Sequence, residues 1–230
     1  MAIRFVLHRP RSSQNIGAAA RALANTAAGE LWIVEPLGFD RAQAAKLAAG
    51  ADDVLDSMRV VRTLDEALAE CVEVIMTTGR EVPGALPPEA AAARLLAAPG
   101  PCALVFGDEV RGLTNHELRR AAAVATIPTA LKSSLNLAQA VMVFGYEVLK
   151  ARGARPAARA PEQPLADEQL LRRLRERCRQ LLLAAGFLNP QQPDLALDEL
   201  FAVLRRARPT QRDVEMMLAA VAQLERTRLP

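Results

Sequence analysis

Three short segments hold most of the side chains in this 230-residue chain that could bind a ligand and act on it. The first contains Asn15, Gly17 and Arg21, the second Gly107 and Glu109, and the third Ser133, Ser134, Leu135 and Asn136. Each segment follows the end of an apolar run. Because open α/β sheets bind ligands outside the carboxyl ends of their strands, the three segments predict one shared site.

The first segment offers an amide, a glycine and an arginine near a helix start. Asn15 can cap the helix, and Gly17 lets another backbone approach closely. Arg21 lies about a turn and a half further on. A plain helix start with a solvated arginine is the alternative. Arg9 and Arg11, in the preceding loop, can contact phosphates or can equally be solvated.

The second and third segments offer backbone groups, a carboxylate and hydroxyls. Gly107 permits a tight turn, and Glu109 can orient a cation or a hydroxyl, although an ordinary strand-to-helix loop is the alternative. The third segment begins a long helix whose free N–H groups suit a carboxylate or a phosphate. Asn136 needs a partner if it is buried. The alternative there is Ser134 as the N-cap, with Asn136 at the surface.

Composition excludes several classes of protein. Cys71, Cys102 and Cys178 have no close spacing, so we predict neither a zinc site nor a disulfide framework, and no metal. The first apolar run is too short for a signal peptide, and no later run could span a bilayer. No Gly-x-Gly-x-x-Gly pattern occurs, which argues against an ordinary dinucleotide site. We therefore expect a cytoplasmic protein with no membrane partner.

Charge is distributed unevenly along the chain. Residues 1–150 carry 15 basic and 16 acidic groups, whereas residues 151–230 carry 14 arginines, no lysine and 10 acidic groups. Arginine makes bidentate phosphate contacts, which fits a nucleic-acid partner. A bias in genomic composition explains the arginine excess equally well, so charge alone supports RNA binding only weakly.

Short apolar runs alternate with helical patterns through the first 150 residues. The predicted strands are 3–7, 31–34, 72–77, 103–106 and 124–127. The predicted helices are 16–25, 41–48, 64–70, 88–97, 115–120 and a long one over 135–152. Strands separated by helices predict an α/β fold with a mostly parallel sheet and helices on both faces.

A segment with three prolines and no apolar periodicity, residues 153–166, is typical of a linker. After it, Asp167 is a suitable N-cap for a helix that ends at Gly186. A second helix is predicted over 195–206, and Thr210 resembles the start of a capping box for a third. The sequence therefore predicts three parts, 1–152, 153–166 and 167–230, the last a small all-α unit.

In this order, the three segments resemble the motifs of the SpoU branch of the SPOUT family of knotted RNA methyltransferases. Asn15 and Arg21 match the first motif, Gly107 and Glu109 the second, and Ser134 and Asn136 the third. Thr77, Thr78, Gly79 and Arg80 resemble the segment that meets the methionine part of S-adenosylmethionine. Gly186-Phe187 and residues 204–209 resemble the tail of the TrmJ group. Asp108 departs from the asparagine of many relatives, so we assign it no role.

The resemblance implies a C-terminal trefoil knot in the α/β domain, S-adenosylmethionine as cofactor, and a homodimer that acts on tRNA. Arg21 would activate a ribose 2′-hydroxyl in a site completed by the partner subunit. The other catalytic residues would be Asn15, Glu109, Ser134 and Asn136. The cofactor would be bound by Thr77, Thr78, Gly79, Gly107, Ile127, Ser133, Ser134 and Leu135, and RNA by Arg9, Arg11 and Arg80.

The implied reaction is 2′-O-methylation of a ribose in the anticodon loop, of the position-32 type. Two alternatives stay open: an enzyme of the same chemistry that acts on ribosomal RNA, and a non-catalytic protein that binds RNA and S-adenosylmethionine. The intact motifs argue against the second, and the helical tail favours tRNA. The only histidines, His8 and His116, lie outside the matched motifs, so a histidine base is not expected.

Overall fold

One sheet of parallel strands organises the fold. The computed structural model describes residues 2–130, 134–153 and 164–227. Its strands are β1 Ile3–His8, β2 Glu30–Val34, β3 Arg59–Val61, β4 Glu73–Thr77, β5 Cys102–Phe106 and β6 Ala123–Ala125. They pair in the order β3-β2-β1-β5-β4-β6, and every neighbouring pair is parallel. The carboxyl ends of the six strands therefore meet at one edge.

The parallel sheet predicted from the sequence is confirmed, with one strand added. β3 was not predicted because it has only three residues at the edge of the sheet, and two of them are exposed. Such a strand lacks the apolar run that identifies a buried one. β6 ends at Ala125, two residues earlier than expected, so Ile127 lies in the loop beyond it.

Helices cover both faces of the sheet, as predicted. The helices that the structure describes before residue 154 are α1 Ser13–Thr26, α2 Arg41–Ala48, α3 Asp52–Ser57, α4 Leu64–Leu68, α5 Pro88–Ala97, α6 Asn115–Leu118 and α7 Leu137–Gly153. α1, α2, α3, α5 and α7 pack on one face, and α4 and α6 on the other. The short α3 was missed because it buries a single side chain, Leu55. Among the described residues, 2–130, 134–153 and 164–227, no helix is long and apolar enough to cross a membrane.

Three aromatic rings fix the position of α7 over the centre of the sheet. The ring of Phe5 stacks on that of Phe106 with centroids 6.1 Å apart, and Phe106 meets the edge of Phe144 at 5.8 Å. Such contacts add to the free energy gained by burying the rings themselves. The start of α7, which carries the third segment, is therefore held near the end of β5.

Three further helices follow, which we call the C-terminal helices: α8 Glu168–Ala184, α9 Pro193–Arg206 and α10 Gln211–Thr227. They enclose a core of their own that includes Leu174, Leu197, Phe201 and Val214. Asp167 caps α8, as expected, by accepting the N–H of Leu170 at 2.7 Å. The predicted capping box is also present, since Thr210 and Asp213 exchange backbone-to-side-chain hydrogen bonds of 2.8 and 3.2 Å.

The C-terminal helices dock against the α4 and α6 face through buried charges. The carboxylate of Glu73, at the start of β4, is fully buried and lies 3.0 Å from Arg94 and 3.3 Å from Arg208. Burial raises the pKa of Glu73, although both arginines oppose the shift. The N–H of Glu168 donates to the carbonyl of Cys71 at 3.0 Å, so the start of α8 meets the chain just after α4.

Gly17→Ala should destabilise the fold. α1 and α2 pack so closely that a methyl group on Gly17 would overlap the carbonyl oxygen of Ala44. Because that oxygen belongs to the helix backbone, it cannot rotate away, and the free energy of unfolding should fall by about 1–3 kcal/mol. Urea denaturation measures the change. Gly153→Ala is the matched control, since a methyl group there meets open space, and equal losses in both variants would contradict the packing argument.

Candidate active site

A cavity of about 240 Å³ opens at the edge where the strands end. It lies between the loops that follow β4, β5 and β6 and the start of α7. The predicted cofactor residues that line it are Thr77, Thr78, Gly79, Gly107, Ile127, Ser134 and Leu135. Ser133 was also predicted but lies outside the described residues. The fold thus gathers segments that are far apart in the sequence around one cavity.

The carboxylate of Glu109, on the rim of this cavity, connects two loops. Its Oε2 accepts the N–H of Arg11 at 2.8 Å, and its Oε1 accepts the N–H of Ser12 at 3.2 Å. The same Oε1 accepts the side-chain amide of Asn15 at 2.8 Å. Glu109 therefore fixes the loop after β1 against the loop after β5.

The amide of Asn15 extends this network to the third segment. Its Oδ1 accepts the side-chain N–H of Asn136 at 2.9 Å. The Oδ1 of Asn136 in turn accepts the backbone N–H of Ala138 at 2.9 Å, so Asn136 caps α7. Glu109, Asn15 and Asn136 form one chain of hydrogen bonds across the three segments.

The predicted cap of α1 at Asn15 is wrong, and the alternative of Ser134 as the cap of the long helix is wrong too. Ser12, rather than Asn15, caps α1, with its hydroxyl accepting the N–H of Asn15 at 3.3 Å. Asn136, rather than Ser134, precedes α7, which begins two residues later than expected. The close approach at Gly17 is real but serves the packing of α1 on α2. Asn15 is not a cap because its amide is used by Glu109 and Asn136.

Two predicted catalytic residues, Arg21 and Ser134, lie outside this hydrogen-bond network, and Arg21 lies farther along its helix. It lies six residues beyond Asn15 in α1, about 9 Å along the helix axis, and its side chain is exposed. Within the described part of the chain it makes no hydrogen bond or ion pair. Within one subunit, Glu109 therefore holds Asn15 and not Arg21. Ser134 lines the cavity.

The three arginines predicted to bind RNA all lie at this edge and all have intramolecular partners. Arg9, whose backbone has a φ of 57°, pairs with Glu35 at 3.2 Å. Arg11 pairs with Asp108 at 3.3 Å. Arg80 donates to the carbonyl of Leu113 at 3.0 Å and to the side chain of Asn115 at 2.8 Å. Their contact with RNA stays a prediction.

Asp108, to which the sequence assigned no role, organises the loop after β5. Its Oδ1 accepts the N–H groups of Val110 and Arg111 at 2.7 and 2.8 Å. Burial by itself would raise the pKa of Asp108, but these hydrogen bonds outweigh it and lower the pKa. The turn closes at Gly112, with a φ of 67°, and packs so tightly on Gly107 that a side chain there would overlap backbone atoms. In the sequence, Asp108 followed by Gly112 was the available signal for this turn, because aspartate and glycine are both frequent in turns.

A largely buried pair of one histidine and one glutamate lies beside the site. The Nε2 of His8, at the end of β1, is 2.8 Å from the Oε1 of Glu117 in α6. Both side chains are largely buried. Among the described residues, no group of three His, Cys, Asp or Glu side chains could hold a metal ion. This pair is therefore a contact between β1 and α6.

Comparison with known proteins identifies the family. Residues 2–146 match the family described as the SpoU rRNA Methylase family. The chain belongs to this family. A Klebsiella pneumoniae protein named tRNA (cytidine/uridine-2'-O-)-methyltransferase TrmJ is 38% identical over 236 residues, which cover 97% of this chain and 96% of the relative. The sequence prediction of a SpoU-type RNA methyltransferase that resembles the TrmJ group is thereby confirmed.

Solved structures of this type share the SpoU fold. TrmJ from Z. mobilis ZM4 superposes with a TM-score of 0.87 and 29% identity, covering 98% of this chain and 100% of that one. A second structure, described as "Structural insights into the 2-OH methylation of C/U34 on tRNA", has a TM-score of 0.55 and 27% identity. It covers 67% of this chain and 98% of its own, so about a third of this SpoU chain has no counterpart there.

Glu109→Gln should loosen the site. The glutamate accepts three N–H groups, and a glutamine would turn an NH₂ group towards at least one of these donors. The free energy of unfolding should fall by about 1–3 kcal/mol because a charged acceptor is lost. Thermal or urea denaturation measures the loss. Glu81→Gln, on the exposed loop after β4, is the control, and an equal effect there would show that the network at Glu109 contributes nothing specific.

Glu117 should contribute stability that depends on pH. Burial raises the pKa of its carboxyl, but hydrogen bonds from His8 and Thr114 outweigh burial and lower the pKa from 4.5 to about 2. A carboxyl whose pKa is lower in the folded state stabilises the fold above the unfolded value and loses that effect as the pH falls through the folded value. The stability difference between wild type and Glu117→Gln should therefore shrink between pH 4.5 and 2. Urea denaturation across this range tests it, and a constant difference would contradict the assignment.

Proposed function

We propose that this chain methylates a ribose 2′-hydroxyl in the anticodon loop of tRNA, with S-adenosylmethionine as the methyl donor. The observation that carries the proposal is the hydrogen-bonded chain of Glu109, Asn15 and Asn136 beside the cavity of a SpoU fold. The proteins named TrmJ match nearly the full length of this chain, C-terminal helices included, which supports tRNA over ribosomal RNA. The proposed nucleotide is of the position-32 type, with position 34 as the second candidate.

The cavity fits the cofactor chemically. Phe106 and Leu137 give it apolar surface suited to an adenine ring, and Thr78 gives it a polar side. Because a side chain at Gly107 would overlap the backbone of Gly112, backbone atoms form part of the wall. When bound, S-adenosylmethionine supplies a methyl group activated by a sulfonium.

Transfer of that methyl group to a hydroxyl is an in-line displacement, so the chain must align the hydroxyl oxygen and help it lose its proton. His8 is unsuited to this task because its Nε2 is engaged in a hydrogen bond with Glu117. Arg21 is the candidate. Its guanidinium stays protonated at ordinary pH, so it either stabilises the developing alkoxide or acts with a substrate phosphate that draws off the proton. Ser134 and Asn136 would position the ribose.

In a homodimer, Arg21 of one subunit would lie beside the cavity of the other subunit. α7 packs against α1 and exposes Met142, Tyr146 and Leu149 at helical spacing, with 38%, 51% and 43% of each residue accessible. Contiguous exposed apolar side chains mark a surface of interaction. A second copy docked on α1 and α7 would cover these side chains and place the exposed Arg21 beside the site of the other subunit.

Three finer features belong to this proposal. We expect the trefoil knot that the family resemblance implies to involve the loop after β5 and the start of α7, two segments that line one cavity. The division into 1–152, 153–166 and 167–230 is supported by the separate core of the C-terminal helices. A cytoplasmic location follows from tRNA as the substrate.

RNA would be held chiefly through phosphates, by Arg9, Arg11 and Arg80. The arginines of the C-terminal helices contribute less than their number suggests, because six pair with carboxylates: Arg172, Arg175, Arg177, Arg179, Arg205 and Arg208. Arg173 and Arg206 are exposed and have no such partner in the described residues. Affinity for tRNA should therefore depend on salt with a slope set by a few contacts.

Transfer of labelled methyl from S-adenosylmethionine to unmodified total tRNA tests the proposal. Nuclease digestion and mass spectrometry should find a 2′-O-methylated nucleoside, and fragment mapping should place it in the anticodon loop. Label in ribosomal RNA alone would keep the chemistry and replace the substrate. Absence of transfer to either RNA, with S-adenosylmethionine still bound, would favour a non-catalytic binding protein.

Arg21→Ala should reduce turnover by roughly 10²–10³-fold because the developing charge on the ribose oxygen loses its partner. The dissociation constant for S-adenosylmethionine should stay unchanged, since Arg21 does not line the cavity. Arg62→Ala removes an exposed arginine elsewhere and is the control. Mixed Arg21→Ala and Asn136→Ala subunits should regain activity if Arg21 acts across a dimer. Loss of cofactor affinity in Arg21→Ala, with full activity at saturation, would refute the role.

A further inference from the structure

The guanidinium of Arg80 fastens two walls of the cavity together. It extends from the loop after β4 and donates to the carbonyl of Leu113 at 3.0 Å and to Oδ1 of Asn115 at 2.8 Å, both beyond β5. Its backbone N–H donates to the hydroxyl of Thr78 at 3.1 Å. Thr78, Arg80 and Leu113 all line the cavity. The width of the cavity between these loops therefore depends on where Asn115 is held.

Asn115 belongs to α6, a helix of four residues that is too short to be stable by itself. A capping box of Thr114 and Glu117 closes its first turn. On one side, Glu117 contacts His8 at the end of β1. On another, Arg120 pairs with Asp65 of α4. The position of α6 is thus set by its neighbours.

The C-terminal helices supply a third support for α6. The side chain of Asp198 in α9 is only 3% exposed and is held by Arg175 at 2.8 Å. Its Oδ2 faces α6, 3.4 Å from Nε2 of His116 and 3.7 Å from Nε of Arg119. His116 is the neighbour of Asn115 in the chain. A buried carboxylate of the C-terminal helices therefore meets the same short helix that holds Arg80.

We propose that Arg80 is a positioning residue for the cofactor cavity, and that α6 links it to the C-terminal helices through Asn115 at one end and Asp198 at the other. The C-terminal helices then increase affinity for S-adenosylmethionine itself, independently of any contact they make with tRNA. This inference rests on the proposed function, since it assumes that the cavity binds the cofactor. The cation of Arg80 then serves the cavity wall first, where four hydrogen bonds hold the residue.

Asn115→Ala and Asn115→Asp test the first end of the link. Titration calorimetry of the full chain with S-adenosylmethionine, in the absence of RNA, should show roughly tenfold weaker binding for Asn115→Ala, because Arg80 then holds the cavity in its binding conformation for only part of the time. Asn115→Asp keeps an acceptor for Arg80 and should bind within about twofold of wild type. Thermal denaturation should give similar midpoints for both variants, because the side chain of Asn115 is exposed.

Cofactor affinity equal to wild type in Asn115→Ala would overturn the proposal. Combined with weaker tRNA binding, that result would leave Arg80 with its proposed contact to RNA alone. Equal weakening in Asn115→Asp would also overturn it, because the acceptor would then be irrelevant. A wild-type chain that binds no S-adenosylmethionine would reject the cofactor assignment, and this inference with it, whereas normal wild-type binding confines a failure to the link.

Arg119→Ala tests the second end. This substitution removes a contact of α6 with Asp198 but keeps the side chains of Asn115 and Arg80. Because α6 is then held less firmly, cofactor affinity should fall by about threefold. Arg62→Ala, an exposed arginine before α4, is the matched control and should bind like wild type. The double variant Asn115→Ala/Arg119→Ala should lose less than the product of the two single losses, because both act through Arg80. Unchanged affinity in Arg119→Ala, or a strictly multiplicative double loss, would reject the connection to the C-terminal helices.

Discussion

The carboxylate of Glu109 is the interaction on which the organisation of the site depends. It accepts two backbone N–H groups from the loop after β1 and the side-chain amide of Asn15. β1 and β5 are neighbours in a parallel sheet, so the loops that follow them leave the same edge side by side. An ionised acceptor with three donors fixes that meeting point more firmly than neutral contacts would. Asn15 is thereby oriented towards Asn136, and the third segment joins the other two.

The same constraint explains why one helix serves two purposes. α1 begins beside the cavity, where Asn15 is held by Glu109, and then runs between α2 and α7. Gly17 allows the close approach of α2, so the buried side of α1 is used for packing. Arg21, on the other side, is left in solvent. In the proposed dimer, the network that positions the ribose and the charge that acts on it come from different subunits.

Arginine in the C-terminal helices serves the fold more than its abundance suggests. Arg205 pairs with Glu168 and Arg208 with Glu73, and both carboxylates are buried. Removing one partner of such a pair leaves an uncompensated buried charge, which is strongly destabilising. These pairs hold the C-terminal helices together and against the sheet. The net positive charge of this region is therefore a poor measure of the surface available to phosphates.

The sequence by itself determined the order of the main strands and helices, the α/β class and the three segments of the site. Apolar runs and helical periods report which side chains are buried, and that information is local. β3 and α3 bury too little to leave such a signal. Only the tertiary structure decided which residues cap the helices, because Ser12, Asn15 and Asn136 are all suitable by type. Glu109, 94 residues away, takes the amide of Asn15 and leaves the cap of α1 to Ser12. A contact over that distance exists only once the sheet has brought the two loops together.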